Sequence, residues 1–252
     1  MALFSIPELR QEARMHPRPI IAVSHADLGV GDATHILNQW AMELIQYARQ
    51  LGYSVIDIGG SNLTYERMTD ILMQTKPVAL FNFSHGCRTY LMGNDMKCSL
   101  TRGEQDPGSC GVCGMPSNLK AIEGTAIVAF SCHSGAQLGK CAIQYGSPMY
   151  VGFSDNLIVV SDKFGTQNIF KESLLPLAKR LLDGWTAGDA IDATRNDLLN
   201  NVKLYKPVEL ISVPLYYNKK YLVLEGNPNW KLFQINDIEI DISRQKENIT
   251  WY

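Results

Sequence analysis

Two short apolar runs, 77–84 and 124–130, set the frame of this chain. Neither alternates with polar residues. Each is continuous and rich in β-branched or aromatic side chains, the signature of a strand buried on both faces of a parallel sheet. Similar runs at 20–24, 53–58 and 148–153 predict three more strands. Between them the apolar positions recur at helical spacing. Ile36, Leu37, Trp40, Leu44, Ile45 and Ala48 predict a helix over 32–51, closed by Gly52. Met68, Ile71 and Leu72 predict another over 65–75. Helices are also expected over 136–145, 167–182 and 186–200, the last two split by Asp183-Gly184. A lead-in helix is expected before Pro17 and Pro19.

Strand–helix alternation over 20–200 implies right-handed crossovers. The fold class expected is α/β, a mostly parallel sheet with helices on both faces. Beyond Pro207 the pattern changes. Residues 208–217 and 220–224 read as strands around a turn at Asn218, with short strands near Leu232 and Ile238. The expected organisation is a lead-in segment 1–18, a domain 19–206, and a β-rich extension 207–252 packed on that domain. Residues 87–119 break the rhythm. They are polar and Gly-rich, show no helical period, and hold four of the six cysteines. A loop of that length is expected to be accessible and functional.

Composition narrows the classes. With 252 residues and 46% hydrophobic side chains the chain can build a sizeable core. A net charge of −2 offers no basic excess for a nucleic-acid partner. No apolar run approaches a membrane span, so no membrane partner is expected. The first residues lack the long apolar core of a secretory signal. The expected location is therefore cytoplasmic, with the cysteines mostly reduced.

The chemistry sits where the two central runs end. The first delivers His85-Gly86 and the second Ser131-Cys132-His133-Ser134-Gly135. In an open α/β sheet, sites form beyond the carboxyl ends of the strands. Alone, a His after a strand is more often structural, and a Cys after an apolar run is usually a small buried hydrophobe. Together they make a candidate base and nucleophile. Gly86 permits close approach, and a helix starting after Cys132 would lower the thiol pKa.

This pairing resembles the caspase-like (clan CD) cysteine peptidases: caspases, metacaspases, gingipains, clostripain and CHAT domains. Ser84-His85-Gly86 matches the strand end that bears the family's base, and Ser131-Cys132 the one that bears its nucleophile. Ser131-Cys-His-Ser-Gly135 is similar to the metacaspase nucleophile signature. The segments 145–155 and 182–195 resemble the strand and helix pair that follow it in such domains. The resemblance covers 20–200 and implies a caspase-hemoglobinase-like fold. It implies an endopeptidase acting on a polypeptide substrate, with Cys132 attacking and His85 protonating the leaving amine. Amides of Gly86 and Cys132 would hold the oxyanion, and no cofactor is required. It also implies a substrate pocket at the first, fourth and fifth strand ends, which here carry Asp27, Phe130 and Asp155. Asp155 falls where caspases place a basic residue, so a basic side chain is expected before the cut. Phe130 replaces the acidic residue that metacaspases carry two before the nucleophile. A regulatory protein partner is left unspecified.

Two alternatives belong to other classes. One is a catalytically silent scaffold with this fold. The other is a zinc or thiol redox module in the long loop. Cys110-Gly-Val-Cys113 is a C-x-x-C step, and with Cys87 and Cys98 it could supply four sulfurs to a zinc ion. A zinc ribbon needs two tight pairs, and only one is present.

Overall fold

A computed structural model describes residues 18–103, 115–161 and 165–233. Six strands form one sheet in the order β2-β1-β3-β6-β7-β8. They are β1 (Arg18–His25), β2 (Tyr53–Gly59), β3 (Ala79–Phe83), β6 (Ala126–Phe130), β7 (Met149–Phe153) and β8 (Leu222–Gly226). The first five run parallel, and β8 pairs antiparallel with β7. Among the described residues the α-helices are α1 (Ala33–Gln50), α2 (Tyr65–Thr75), α3 (Leu138–Gln144), α4 (Gln167–Leu182), α5 (Ala187–Leu204) and α6 (Glu209–Tyr221). The expected lead-in helix before Pro17 and the strand near Ile238 lie outside the described residues.

The continuous apolar runs have a direct cause, since both faces of the sheet are covered. Ile21, Val23, Phe81, Phe83, Val128 and Phe130 face α1, α4, α5 and α6 in the larger core. Ala22, Leu80, Ile127 and Ala129 face α2, α3 and a short 3-10 turn, Leu119–Ile122, in the smaller one. A central strand with two dry faces has no polar side to show.

Two expectations fail. Residues 208–217 form helix, not strand. Their β-branched and aromatic content invited the strand reading, but Ile211, Leu215 and Asn218 recur at helical spacing and are the positions that bury. Tertiary packing overrides propensity here. The C-terminal extension is therefore one helix and one strand as far as Phe233, and Leu232 lies outside any strand. The described parts of 87–119, residues 87–103 and 115–119, also differ from the accessible loop expected, and 104–114 lie outside the described residues. They hold an antiparallel hairpin, β4 (Tyr90–Met92) and β5 (Cys98–Thr101), whose strand residues are all buried. Strands of three and four residues are too short to leave a period. The hairpin is tied to the loop after β3 by a bridge between Gly86 and Leu91.

Candidate active site

β3 and β6 are hydrogen-bonded neighbours in parallel register, with Phe83 opposite Phe130. Two residues further on, one strand carries His85 and the other Cys132. The sheet thus sets His85 and Cys132 at the same level on adjacent strand ends.

The turn between them is close-packed. A Cβ on Gly86 would fall 2.8 Å from Ser131 Cβ and 2.9 Å from the Cys132 carbonyl oxygen. No other residue type fits there without displacing the backbone of Cys132. Among the described residues nothing accepts the Gly86 N–H, so it is free to face a ligand.

Beneath the turn lies a buried polar knot. Asn82 Nδ2 donates to Ser24 Oγ at 2.8 Å, while its Oδ1 accepts from Ser131 Oγ at 2.8 Å and from Ser84 Oγ at 3.0 Å. All four residues are buried. One amide therefore locks the ends of β1, β3 and β6 together, beneath the loops that carry His85 and Cys132. A satisfied network in a dry interior specifies geometry strongly.

The sequence motif after β6 also has a mechanical reading. His133 takes a left-handed conformation, φ 55°, and donates its N–H to the Asp155 carbonyl at 2.8 Å. Gly135 N–H donates to Phe153 O at 2.9 Å. A Cβ there would strike Val223 Cγ2 at 2.4 Å. The turn 131–135 is thereby pressed onto the end of β7.

His85 has an acidic partner that the sequence did not reveal. Its Nε2 lies 3.1 Å from Asp32 Oδ2. Asp32 is also the N-cap of α1, its Oδ1 accepting from Thr34 N at 2.8 Å and Thr34 Oγ1 at 2.6 Å. Burial pushes this carboxyl up, but the bonds from Thr34 and His85 outweigh it and hold it below the usual carboxylate range. An Nε2–H on His85 would donate to the ionised Asp32. The legible signal was modest: an Asp two residues before a Thr at a helix start.

The Cys132 thiol is half-buried, and its environment corrects an expectation. α3 begins at Leu138, six residues on, so no helix amino end sits at the sulfur. Burial pushes the thiol pKa up and the Asp155 charge adds to that. The Leu157 N–H and the residue's own amide oppose it, and the net direction is upward. Leu157 N lies 3.4 Å from Sγ.

The three expected pocket residues separate. Phe130 is fully buried, stacked on Phe83 at 4.8 Å and edge-on to Trp40 at 6.5 Å. It is core and cannot line a pocket. Asp27 is occupied locally by Gly29 N, His35 Nδ1 and Asn38 Nδ2. Asp155 lies beside the site. Burial raises its pKa, but the Tyr217 hydroxyl, the Asn156 amide and the charges of His133 and Arg88 outweigh that and keep it ionised below the usual range. Its Oδ1 is 3.7 Å from His133 Nδ1.

The zinc reading is corrected for two of its four residues. Cys87 and Cys98 are disulfide-bonded, so neither thiolate is available to a metal, and neither cysteine is reduced as expected. Cys110 and Cys113 lie outside the described residues. Among the described residues no group of three or more His, Cys, Asp or Glu is placed to hold a metal ion. Cys132 and Cys141 are free thiols.

Sheet order, two-sided helix cover and the polar strand ends define a caspase-hemoglobinase-like α/β fold. Among solved structures the chain is similar to the Arg-specific cysteine proteinase gingipain R (RgpB), with a TM-score of 0.51 and 13% identity. That match covers 89% of this chain and 52% of the proteinase, so the chain spans about half its length. A complex of the pro- and mature domains of Porphyromonas gingivalis RgpB also matches, at a TM-score of 0.43 and 13% identity over 87% of this chain and 52% of that one. No protein-family profile and no curated protein sequence matches the chain.

Proposed function

We propose that this protein is a cysteine endopeptidase that cleaves polypeptides with Cys132 as nucleophile and His85 as base and acid. The observation that carries the reading is the Gly86 contact. The residue after the His is packed on the backbone of the Cys, and the His is oriented by a carboxylate.

In the proposed reaction His85 Nδ1 takes the Cys132 proton, and the sulfur adds to the scissile carbonyl carbon. The carbonyl oxygen gains the charge and is held by the Gly86 N–H, a donor of the kind whose loss costs about 3 kcal/mol. His85 then returns its proton to the leaving nitrogen as the C–N bond breaks. Water, deprotonated by the same imidazole, hydrolyses the thioester and frees the sulfur. Asp32 stabilises the imidazolium throughout. The raised thiol pKa makes His85 necessary, because the sulfur does not ionise unaided at neutral pH.

Incubation with a peptide-based electrophile tests the proposal. A single adduct at Cys132, and not at Cys141, supports it. No adduct, or equal labelling of a denatured control, overturns it.

The side chain before the cut is proposed to be Arg or Lys, read by Asp155. The gingipain R to which the fold is similar is Arg-specific. The Asp155 charge acts on the Cys132 sulfur. Asp155→Asn is expected to lower kcat/KM on Arg or Lys substrates roughly a hundredfold, the scale for an unpaired charge at an interface. Because the carboxyl titrates below its ordinary value, the preference should be flat above about pH 4 and fade only as pH falls below it. Comparison of Arg, Lys, Asp and Ala substrates between pH 3.5 and 8 checks both statements.

The oxidised Cys87 and Cys98 bear on location. Structural disulfides persist in oxidising compartments, and we propose such a compartment in place of the cytoplasm expected from the N-terminus.

A further inference from the structure

Helix α6 turns two consecutive side chains toward the segment that follows β7. Tyr217 bonds the Asp155 carboxylate. Asn218 is fully buried, with Nδ2 donating to Ile158 O at 2.7 Å and Oδ1 accepting from Ile158 N at 2.9 Å. One side-chain amide satisfies both backbone groups of a single residue, as the edge of a strand would. The helix backbone adds a tie, Tyr221 O accepting from Ser154 N at 2.9 Å. Residues 154–158 have no regular structure of their own; they are tied to α6 through Ser154 and Ile158 and to the turn after β6 through the Asp155 carbonyl.

The residue before the clamp is Leu157. Its N–H points at Cys132 Sγ at 3.4 Å, and its carbonyl oxygen lies 3.8 Å from the same sulfur. Leu157 touches the sulfur through backbone, so its side chain does not decide the contact. Its place is decided by what holds Ile158.

We propose that Asn218 is a positioning residue for the nucleophile: by gripping both backbone groups of Ile158 it keeps the Leu157 N–H on Cys132 Sγ, where that donor favours the thiolate. The term nucleophile rests on the peptidase reading above. The effect on the sulfur does not.

The groups that face the sulfur show why this donor matters. Asp155, on the loop after β7, disfavours a second negative charge. Tyr217, on α6, is pushed up to about 12 by burial and by Asp155, and stays neutral near pH 7. His85 stands on the neighbouring strand end. His133 and Arg88 act on Asp155. Against the burial of the thiol, the Leu157 N–H is one of two donors. A hydrogen bond to the charged form of a group is a direct lever on its ionisation.

The test is the pH profile of iodoacetamide alkylation at Cys132, read by mass on the full chain. Asn218→Ala is expected to move the profile to higher pH, with roughly tenfold less reaction at pH 7. Asn218→Leu, which keeps most of the volume and adds no charge, should do the same and carries the test if the alanine variant does not fold. Asn118→Ala is the control. Asn118 is another buried amide that ties backbone, to Thr101 N and Ser99 O, at β5. It should cost stability and leave the profile unmoved. A profile unchanged in both Asn218 variants overturns the proposal, as does an equal shift in the Asn118 variant. Alkylation does not depend on peptide cleavage. A shifted profile in a chain that cleaves nothing would sink the peptidase reading and leave the role of Asn218 standing.

Discussion

Cys132→Ala is expected to leave a folded protein with no peptide cleavage above background and no adduct with a peptide electrophile. The substitution deletes one half-buried sulfur and leaves the Asn82 knot and the Gly135 contact in place. Its folded state should therefore match wild type by circular dichroism and melting. His85→Ala is expected to lower kcat/KM by about 10²–10⁴, the range for a positioned acid–base group. Because the two act as a unit, the double variant should be little worse than Cys132→Ala alone. Asp32→Asn should fall between wild type and His85→Ala, since asparagine still caps α1 while the charge beside His85 is gone. Its pH–rate profile should shift on the limb that reports the base, which loss of a cap alone would not cause. Full turnover by Cys132→Ala would end the assignment.

The second large effect belongs to a residue with no chemistry of its own. Gly86→Ala puts a methyl group 2.8 Å from Ser131 Cβ and 2.9 Å from the Cys132 carbonyl. Neither neighbour can yield cheaply. Ser131 is held by Asn82, and the carbonyl is backbone. Overpacking of this kind costs about 1–3 kcal/mol. The activity cost should be larger in proportion, because a displacement of roughly 1 Å at a reacting centre costs on the order of a hundredfold. Melting temperature and kcat/KM measured on one preparation separate the two. A Gly86→Ala protein with lowered stability but wild-type kcat/KM would show that the turn is packing alone.

The strands that carry His85 and Cys132 were legible because a strand dry on both faces has to be apolar at every position. The same runs contained a second signal that is plain once the sheet is seen. Asn82 is a polar residue inside a buried apolar run, and such a residue must find partners. It found three serines at the ends of three strands. Phe130 could have been placed by parity alone. It shares a face with Ala126 and Val128, and two positions before Cys132 is therefore the core side. Asp32 was out of reach, because it stands 53 residues before its partner. α6 was misread for a different reason. Its apolar surface is not confined to one face: Leu210, Val213 and Tyr216 are exposed while Ile211 and Leu215 are buried. Residue types that favour strands then outweighed a weak helical period.

The six cysteines have a consequence for how such a protein would be handled by its surroundings. Cys132 is a partly exposed thiol, whereas Cys87 and Cys98 are oxidised and at most 2% exposed. Thiol–disulfide exchange needs access as well as driving force. A small thiol-reactive molecule thus reaches Cys132 more readily than the sulfurs of Cys87 and Cys98. The chain thus carries one sulfur open to small reagents and two that burial shields, Cys87 standing only two residues after His85.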